Sequence, residues 1–280
     1  MTLDERPAAA GGMTLDEMLE TAGGGEVDVA AGWGQGRATY GGLVAGLLLA
    51  RAEALVGDGA RRLRSANVSF VGPVAPGAAA LDGVVLRAGS SVTQVSVSLV
   101  QEGETRAVLL AGFGGERESA LAVDAAPRNP RPSLPAPDEI EPLPHVPGLT
   151  PDFFAHVDLR IAAGGMPFSG AAEPDFGGYM RFRSAPAAFG DRELLTLADA
   201  WPPAIIPMLT GPASMSSLAW TFEPIPSPSP DAPADAPDAF WQYDVTTHHA
   251  AGGYARTTAR IWDARGDLRA LSHQTVAYFA

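Results

Sequence analysis

Two stretches of small and apolar residues, each followed by four segments of alternating apolar and polar positions, organise this chain. In the first, "YGGLVAGLLLARAEALV" (residues 40–56) sets Leu43, Leu47, Leu48 and Leu55 at helical spacing among small residues, which predicts a buried helix that neighbours approach closely. Four extended segments follow it: "RSANVSFVG", "AALDGVVLRAG", "SVTQVSVSLVQ" and "ETRAVLLAGFG". Val95, Val97 and Leu99 alternate with Ser96 and Ser98, the period-two signature of a strand with one buried face. The breaks "AGSS" and "QEGE" are short enough for hairpins, so the four segments read as an antiparallel meander.

The pattern then returns. Residues 116–151 are rich in proline, from Pro127 to Pro147, and poor in large apolar residues, which marks a semi-extended linker. Beyond it come two strand candidates, "FFAHVDLRI" and "GYMRFRS", a helix candidate, "RELLTLADAWPPAIIPML", and four further extended segments, "SMSSLAWTFE", "AFWQYDVTT", "YARTTARIWD" and "LRALSHQTVAYF". A proline-bearing loop lies after the first of the four strands in each half, "GPVAPGA" and then the longer "EPIPSPSPDAPADAP". Such an insertion costs little, because loop-closure entropy rises slowly with length. The expectation is an internal duplication: a first unit over 1–115, a linker over 116–151 and a second unit over 152–280.

Composition narrows the chemistry. The chain has 280 residues and no cysteine, so thiol nucleophiles, disulfides and thiolate metal sites are all excluded. Every cationic side chain is arginine, which removes Schiff-base and P-loop lysine chemistry and leaves guanidinium or backbone N–H groups to meet a phosphate. The net charge of -13 argues against nucleic acid and anionic membranes as partners. No apolar run is long enough to cross a bilayer, and the acidic start "MTLDERPAAAGGMTLDEMLE" lacks a signal pattern, so a cytoplasmic location is expected. His248 and His249 would point to opposite faces of a strand, so no metal site is expected from them.

A helix followed by a four-strand antiparallel meander, given twice, resembles the double hotdog fold, an α+β architecture in which each sheet wraps a long helix. The closest resemblance is to the acyl-CoA thioesterase II family. It is carried in the first half by Tyr40, Gly41 and Gly42 before an apolar helix, by Phe70 and by Pro76 with Gly77; in the second half it is carried by Asp199, Ser214, Trp220 and Gln274. Ser214 stands where the family has a threonine, and Ser216 and Ser217 stand where it usually has an acid and a histidine. The resemblance implies hydrolysis of an acyl thioester, with Asp199 as the base and Gln274 and Ser214 orienting the water, no cofactor, acyl-CoA as the ligand, and a homo-oligomer.

The residues themselves leave each role open. Asp199 is either a helix-surface or capping carboxylate before Pro202, or a buried base; Leu194, Leu195, Leu197 and Trp201 around it favour burial, and a buried carboxylate needs partners. Its pKa should then rise if burial dominates and fall if donors dominate. Gln274 is either a solvated strand residue or a site residue, and alternation places it with Ser272 and Val276. Gly41 and Gly42 either permit close packing or leave helix N-terminal N–H groups free to polarise a thioester oxygen. Arg37, Arg256 and Arg260 are candidate phosphate contacts. A non-catalytic hotdog protein that binds an acyl thioester or another apolar ligand, and an enoyl-thioester hydratase or dehydratase, are the alternatives, since one fold carries all three.

Overall fold

The computed structural model describes residues 12–227 and 235–279. The first copy of the repeated "MTLDE" and most of the proline insertion after Pro224 lie outside the described residues. The described chain opens with helix α1 (Leu15–Gly23), where Thr14 and Glu17 form a reciprocal capping box and Met18, Leu19 and Ala22 make the buried face. Strand β1 (Glu26–Val29) and the short pair β2 (Gly34–Gln35) and β3 (Ala38–Thr39) lead into α2 (Gly41–Val56). The first meander follows as β4 (Arg62–Phe70), β5 (Gly77–Ala88), β6 (Val92–Gln101) and β7 (Glu104–Gly114). The second half holds β8 (Val157–Gly164), β9 (Phe176–Phe182), α3 (Asp191–Ala198), β10 (Ser214–Pro224), β11 (Trp241–Ala251), β12 (Tyr254–Trp262) and β13 (Leu268–Phe279).

Eleven of these strands form one antiparallel sheet in the order β1-β5-β6-β7-β4-β10-β13-β12-β11-β9-β8. Read from each edge inward, the two halves place their four post-helix strands in the same order, which is the duplication expected from the sequence. They join where β4 pairs with β10, with Val68 opposite Trp220 and Asn67 opposite Thr221. This is the α+β double hotdog: one continuous sheet curved around two helices.

Helix α2 is buried on every side from Gly42 to Ala50, as a stretch that is apolar all round must be. It packs against α1 and, in the other half, against α3. Helix α3 is shorter than the sequence pattern suggested. It ends at Ala198 with Asp199 as its C-cap, and the later residues make only a single 3-10 turn, Ile206–Met208. Pro202 and Pro203 cause this, since neither offers a backbone N–H and the residue before a proline is driven out of the helical region.

The stretch between β7 and β8 carries no strand, yet it is tied down. Gln242 Nε2 donates to the Pro132 carbonyl at 2.8 Å, Tyr179 donates to that of Pro135 at 3.0 Å, and Arg160 donates to that of Pro137 at 2.7 Å. The linker therefore runs as a strap across β8, β9 and β11 of the second half.

Candidate active site

The break after α3 puts a carboxylate where two helices meet. The end of a helix leaves carbonyls without intrahelical partners. One of them, that of Thr196, receives the phenol of Tyr40, the residue just before α2. This cross-half bond locks the N-terminus of α2 against the C-terminus of α3. Tyr40 is itself fully buried and stacks on Phe153, with ring centroids 4.2 Å apart.

Asp199 then faces the start of α2. Gln274 Nε2 on β13 donates to Asp199 Oδ1 at 2.7 Å, and the Gly42 backbone N–H also reaches the carboxylate. Tyr40, at the N-cap of α2, makes no side-chain cap bond, and Asp199 faces that end of the helix from the other half of the chain. The two glycines are required by this approach. A Cβ on Gly41 would lie 2.7 Å from Asp199 Oδ2 and 3.3 Å from the Phe70 ring, and one on Gly42 would run into the Thr196 carbonyl and the Tyr40 hydroxyl. The sequence left the glycine pair with two readings, close packing or a free helix N-terminus; the fold brings the pair against Asp199.

Burial lifts the pKa of Asp199 from 3.8 to about 7, and the bonds from Gln274 and Gly42 hold it from rising further. Of the two directions open from sequence, the upward one holds. Asp199 nonetheless stays only half-buried, so solvent meets it. Gln274 is also half-buried and projects to the same face as the buried Ser272 and Val276, as strand alternation indicated. Its cross-strand neighbour Trp220 is buried and donates its indole N–H to Ser272 Oγ at 2.8 Å, which braces β13 beside the site.

Ser214 does not join this group. It is exposed at the start of β10 and pairs with Phe279, whereas Gln274 pairs with Trp220. Five residues of β13 separate the two rows, about 16 Å at the rise of a strand. A register shift between Ser217 and Ala219, which no spacing rule foretells, sets six residues of β10 against those five and puts Ser214 in the row of Phe279, on the other face of the sheet from Gln274. Of the arginines, Arg260 is engaged with Asn129 and Asp244 on the outer sheet face, and Arg256 is exposed on that same strand. Arg37 lies exposed between β2 and β3, ahead of the α2 N-terminus.

Tyr243 is the neighbour that sequence reading missed. It lies on β11 with 7 % of its surface exposed and stacks on Trp201, centroids 4.9 Å apart and planes 7° off parallel. Burial, and next the charge of Asp199, push its phenol above the ordinary range; the same two causes act on Tyr40. The alternation of Trp241, Tyr243 and Val245 in "WQYDV" was the available signal, since it puts all three on the inner face. Among the described residues no cluster of three metal-ligating side chains exists, and no helix is long and apolar enough to cross a membrane.

Comparison with known proteins gives the same architecture. Residues 29–114 match the family model of the acyl-CoA thioesterase N-terminal domain, and residues 137–278 match that of the acyl-CoA thioesterase C-terminal domain. A search of curated protein sequences found no match. Among solved structures, a hot dog fold protein of unknown function from Alicyclobacillus acidocaldarius superposes with a TM-score of 0.76 at 20% identity, covering 91% of this chain and 92% of that one. A candidate thioesterase II from Thermobifida fusca gives 0.73 at 22% identity, with coverage of 91% and 92%. The acyl-CoA thioesterase II TesB2 from Mycobacterium marinum gives 0.67 at 20% identity, again over 91% and 92%. At these identities the structures establish the fold, while the two domain models, which together span most of the chain, establish that it belongs to the double-hotdog acyl-CoA thioesterase family.

Proposed function

We propose that this protein hydrolyses an acyl-CoA or related acyl thioester, with Asp199 as the general base. The observation that carries this reading is the half-buried carboxylate of Asp199, held at 2.7 Å by Gln274 and poised at about 7. A base working near neutral pH needs a pKa in that range. The Gln274 amide nitrogen is spent on Asp199, while its amide oxygen has no protein partner among the described residues and can receive a water hydrogen.

In the step itself a water O–H gives its proton to Asp199 as the water oxygen attacks the thioester carbonyl carbon. The tetrahedral intermediate then expels the thiolate, the C–S bond breaks, and the proton held on Asp199 passes to sulfur. The products are a carboxylic acid and a free thiol. Gln274 holds the carboxylate through its amide nitrogen and positions the water through its amide oxygen. Ser214, lying at the far end of β10, has no part in this scheme.

Free thiol release from a panel of acyl-CoAs of graded chain length tests the proposal. Turnover of at least one member is expected. Ligand binding without thiol release on any member would favour a binding protein. Water addition to an enoyl thioester without thiol release would favour a hydratase.

A further inference from the structure

Asp199 is approached from two strands. Gln274 on β13 bonds its Oδ1, and on the other side a Cβ on Gly41 would lie 2.7 Å from Asp199 Oδ2 and 3.3 Å from the ring of Phe70, at the end of β4. Strands β13 and β4 are the two neighbours of β10 in the sheet. The carboxylate therefore lies over β10, and the side chains that β10 turns inward form the floor beneath it.

The register identifies those side chains. Trp220 pairs with Gln274, and beyond the bulge Ser217 pairs with Val276, the next residue of β13 on the face of Gln274. Residues paired directly across an antiparallel ladder share a face, so Ser217 points inward. On the β4 side Ser69 pairs with Ala219, which brings Phe70 beside the bulge and into the row of Ser217. Ser217 thus lies between Phe70 and Val276, on the strand next to Gln274 and one row away. Diagonal neighbours of this kind are about 7–8 Å apart, a span that one water bridges between a hydroxyl and a longer side chain.

Among the inward residues of β10, Ser217 is the polar exception. Met215, Trp220 and Phe222 pack on or in the core. On the facing stretch of β13, Ser272 accepts the Trp220 indole N–H, and Gln274 has spent its amide nitrogen on Asp199. Ser217 is half-buried and its hydroxyl has no protein partner among the described residues; Ser216 Oγ donates to its carbonyl instead, at 3.5 Å.

The hydrolytic step has a use for such a donor. A water oxygen carries two hydrogens and two lone pairs. One hydrogen goes to Asp199, the other to the amide oxygen of Gln274, and one lone pair attacks the carbonyl carbon. The second lone pair is left to accept a hydrogen bond, and about three bonds are what fix a bound water.

We propose that Ser217 is a catalytic residue, its hydroxyl donating a hydrogen bond to the oxygen of the attacking water. The inference rests on the hydrolase reading for its effect on rate, but the contact with a water held by Asp199 needs no turnover. The serine keeps its proton throughout, and the proton lost by the water goes to Asp199. The hydroxyl expected at Ser214 is thereby found three residues later, because the register sets Ser214 on the opposite face.

Ser217→Ala, Ser217→Thr and Ser214→Ala test this together. With acyl-CoA substrates, kcat is expected to fall at least about tenfold in Ser217→Ala, with KM little changed, because the nucleophile loses its orientation. Ser217→Thr, which keeps the hydroxyl, and Ser214→Ala should stay close to the parent. In parallel, Asp199 is titrated by carbon NMR with ¹³C-labelled aspartate, its signal assigned through Asp199→Asn. Its pKa should be higher in Ser217→Ala than in the parent, since a water without its donor stabilises the ionised carboxylate less, and unmoved in Ser214→Ala. That displacement supports the contact even if the parent hydrolyses no thioester, in which case the hydrolase reading alone fails. A parent that hydrolyses thioesters alongside a Ser217→Ala variant of equal kcat overturns the inference while leaving that reading standing. An Asp199 titration identical in parent and Ser217→Ala, or displaced equally by Ser214→Ala, overturns it as well.

Discussion

Gln274, on the last strand, donates to Asp199 Oδ1 at 2.7 Å, so the carboxylate that faces the start of α2 from the opposite half is tied to the sheet. This single bond joins both helices to β13. It also moderates the basicity of Asp199, because a donor to the ionised form lowers its pKa.

Replacing that donor should therefore move the pH profile as well as the rate. In Gln274→Leu, kcat/KM is expected to drop about 10- to 100-fold, and the acid-side inflection should move above the parent's value near 7. Steady-state kinetics between pH 5 and pH 9, spanning about two units either side, would read both effects. A rate loss with an unmoved inflection would mean that Gln274 does not act through Asp199.

Gly41→Ala should separate activity from stability. Its Cβ would sit 2.7 Å from Asp199 Oδ2 with the Phe70 ring at 3.3 Å on another side, so the carboxylate must shift and lose its alignment with Gln274. Alanine in place of a helical glycine returns up to about 1 kcal/mol, which offsets part of an overpacking cost of about 1–3 kcal/mol. Thermal melting should change little while thiol release falls at least tenfold. Retained activity would show that the approach of α2 to Asp199 is not needed for the reaction.

The cross-half bond from Tyr40 is structural in this account. Tyr40→Phe leaves the Thr196 carbonyl buried without its donor, which costs about 1–3 kcal/mol. Denaturant unfolding would register it as a lower midpoint. An unchanged midpoint would mean that the helix contact is held by packing alone.

Four carboxylates among the described residues have raised values, Asp191, Asp244, Asp199 and Glu53, and the last two are raised furthest. Asp199 and, near the other end of α2, Glu53 both lie at about 7; burial is the main cause for each, and for Glu53 Arg192 opposes it while Asp191 and Glu193 add to it. A carboxyl whose folded pKa exceeds its unfolded one binds more protons in the native state between the two values, so stability falls as pH rises from about 4 to about 7. Glu53→Gln should raise the melting temperature at pH values about one unit or more above 7 and leave it nearly unchanged near pH 4. Thiol release should be unaffected, because Glu53 lies about 18 Å along α2 from Gly41. A melting temperature that rises equally at both pH values would show that charge on Glu53 is not the cause.

Much of this site was legible in the sequence, and the reasons for the rest are physical. Helix α2 and both meanders followed from apolar periodicity, while alternation grouped Gln274 with Ser272 and Val276 without deciding whether that face is buried. Helix α1 was missed although its capping box, Thr14 to Glu17, was present as a local signal. The end of α3 was overrun because the leucines before Asp199 continue into an apolar stretch, and only Pro202 and Pro203 mark the stop. The placement of Ser214 depended on the β10–β13 register, which the bulge after Ser217 sets and local pattern does not. The approach of Gly41 to Asp199 is a contact between distant segments, and a single sequence carries no local trace of it.

The central claim is that Asp199 takes the proton from water, and thiol release by Asp199→Asn tests it most directly. On whichever acyl-CoA the parent turns over best, kcat is predicted to fall by about 10²- to 10⁴-fold in the variant while binding of the substrate is retained. A variant that releases thiol at the parent's rate, with the same pH dependence, would contradict the account.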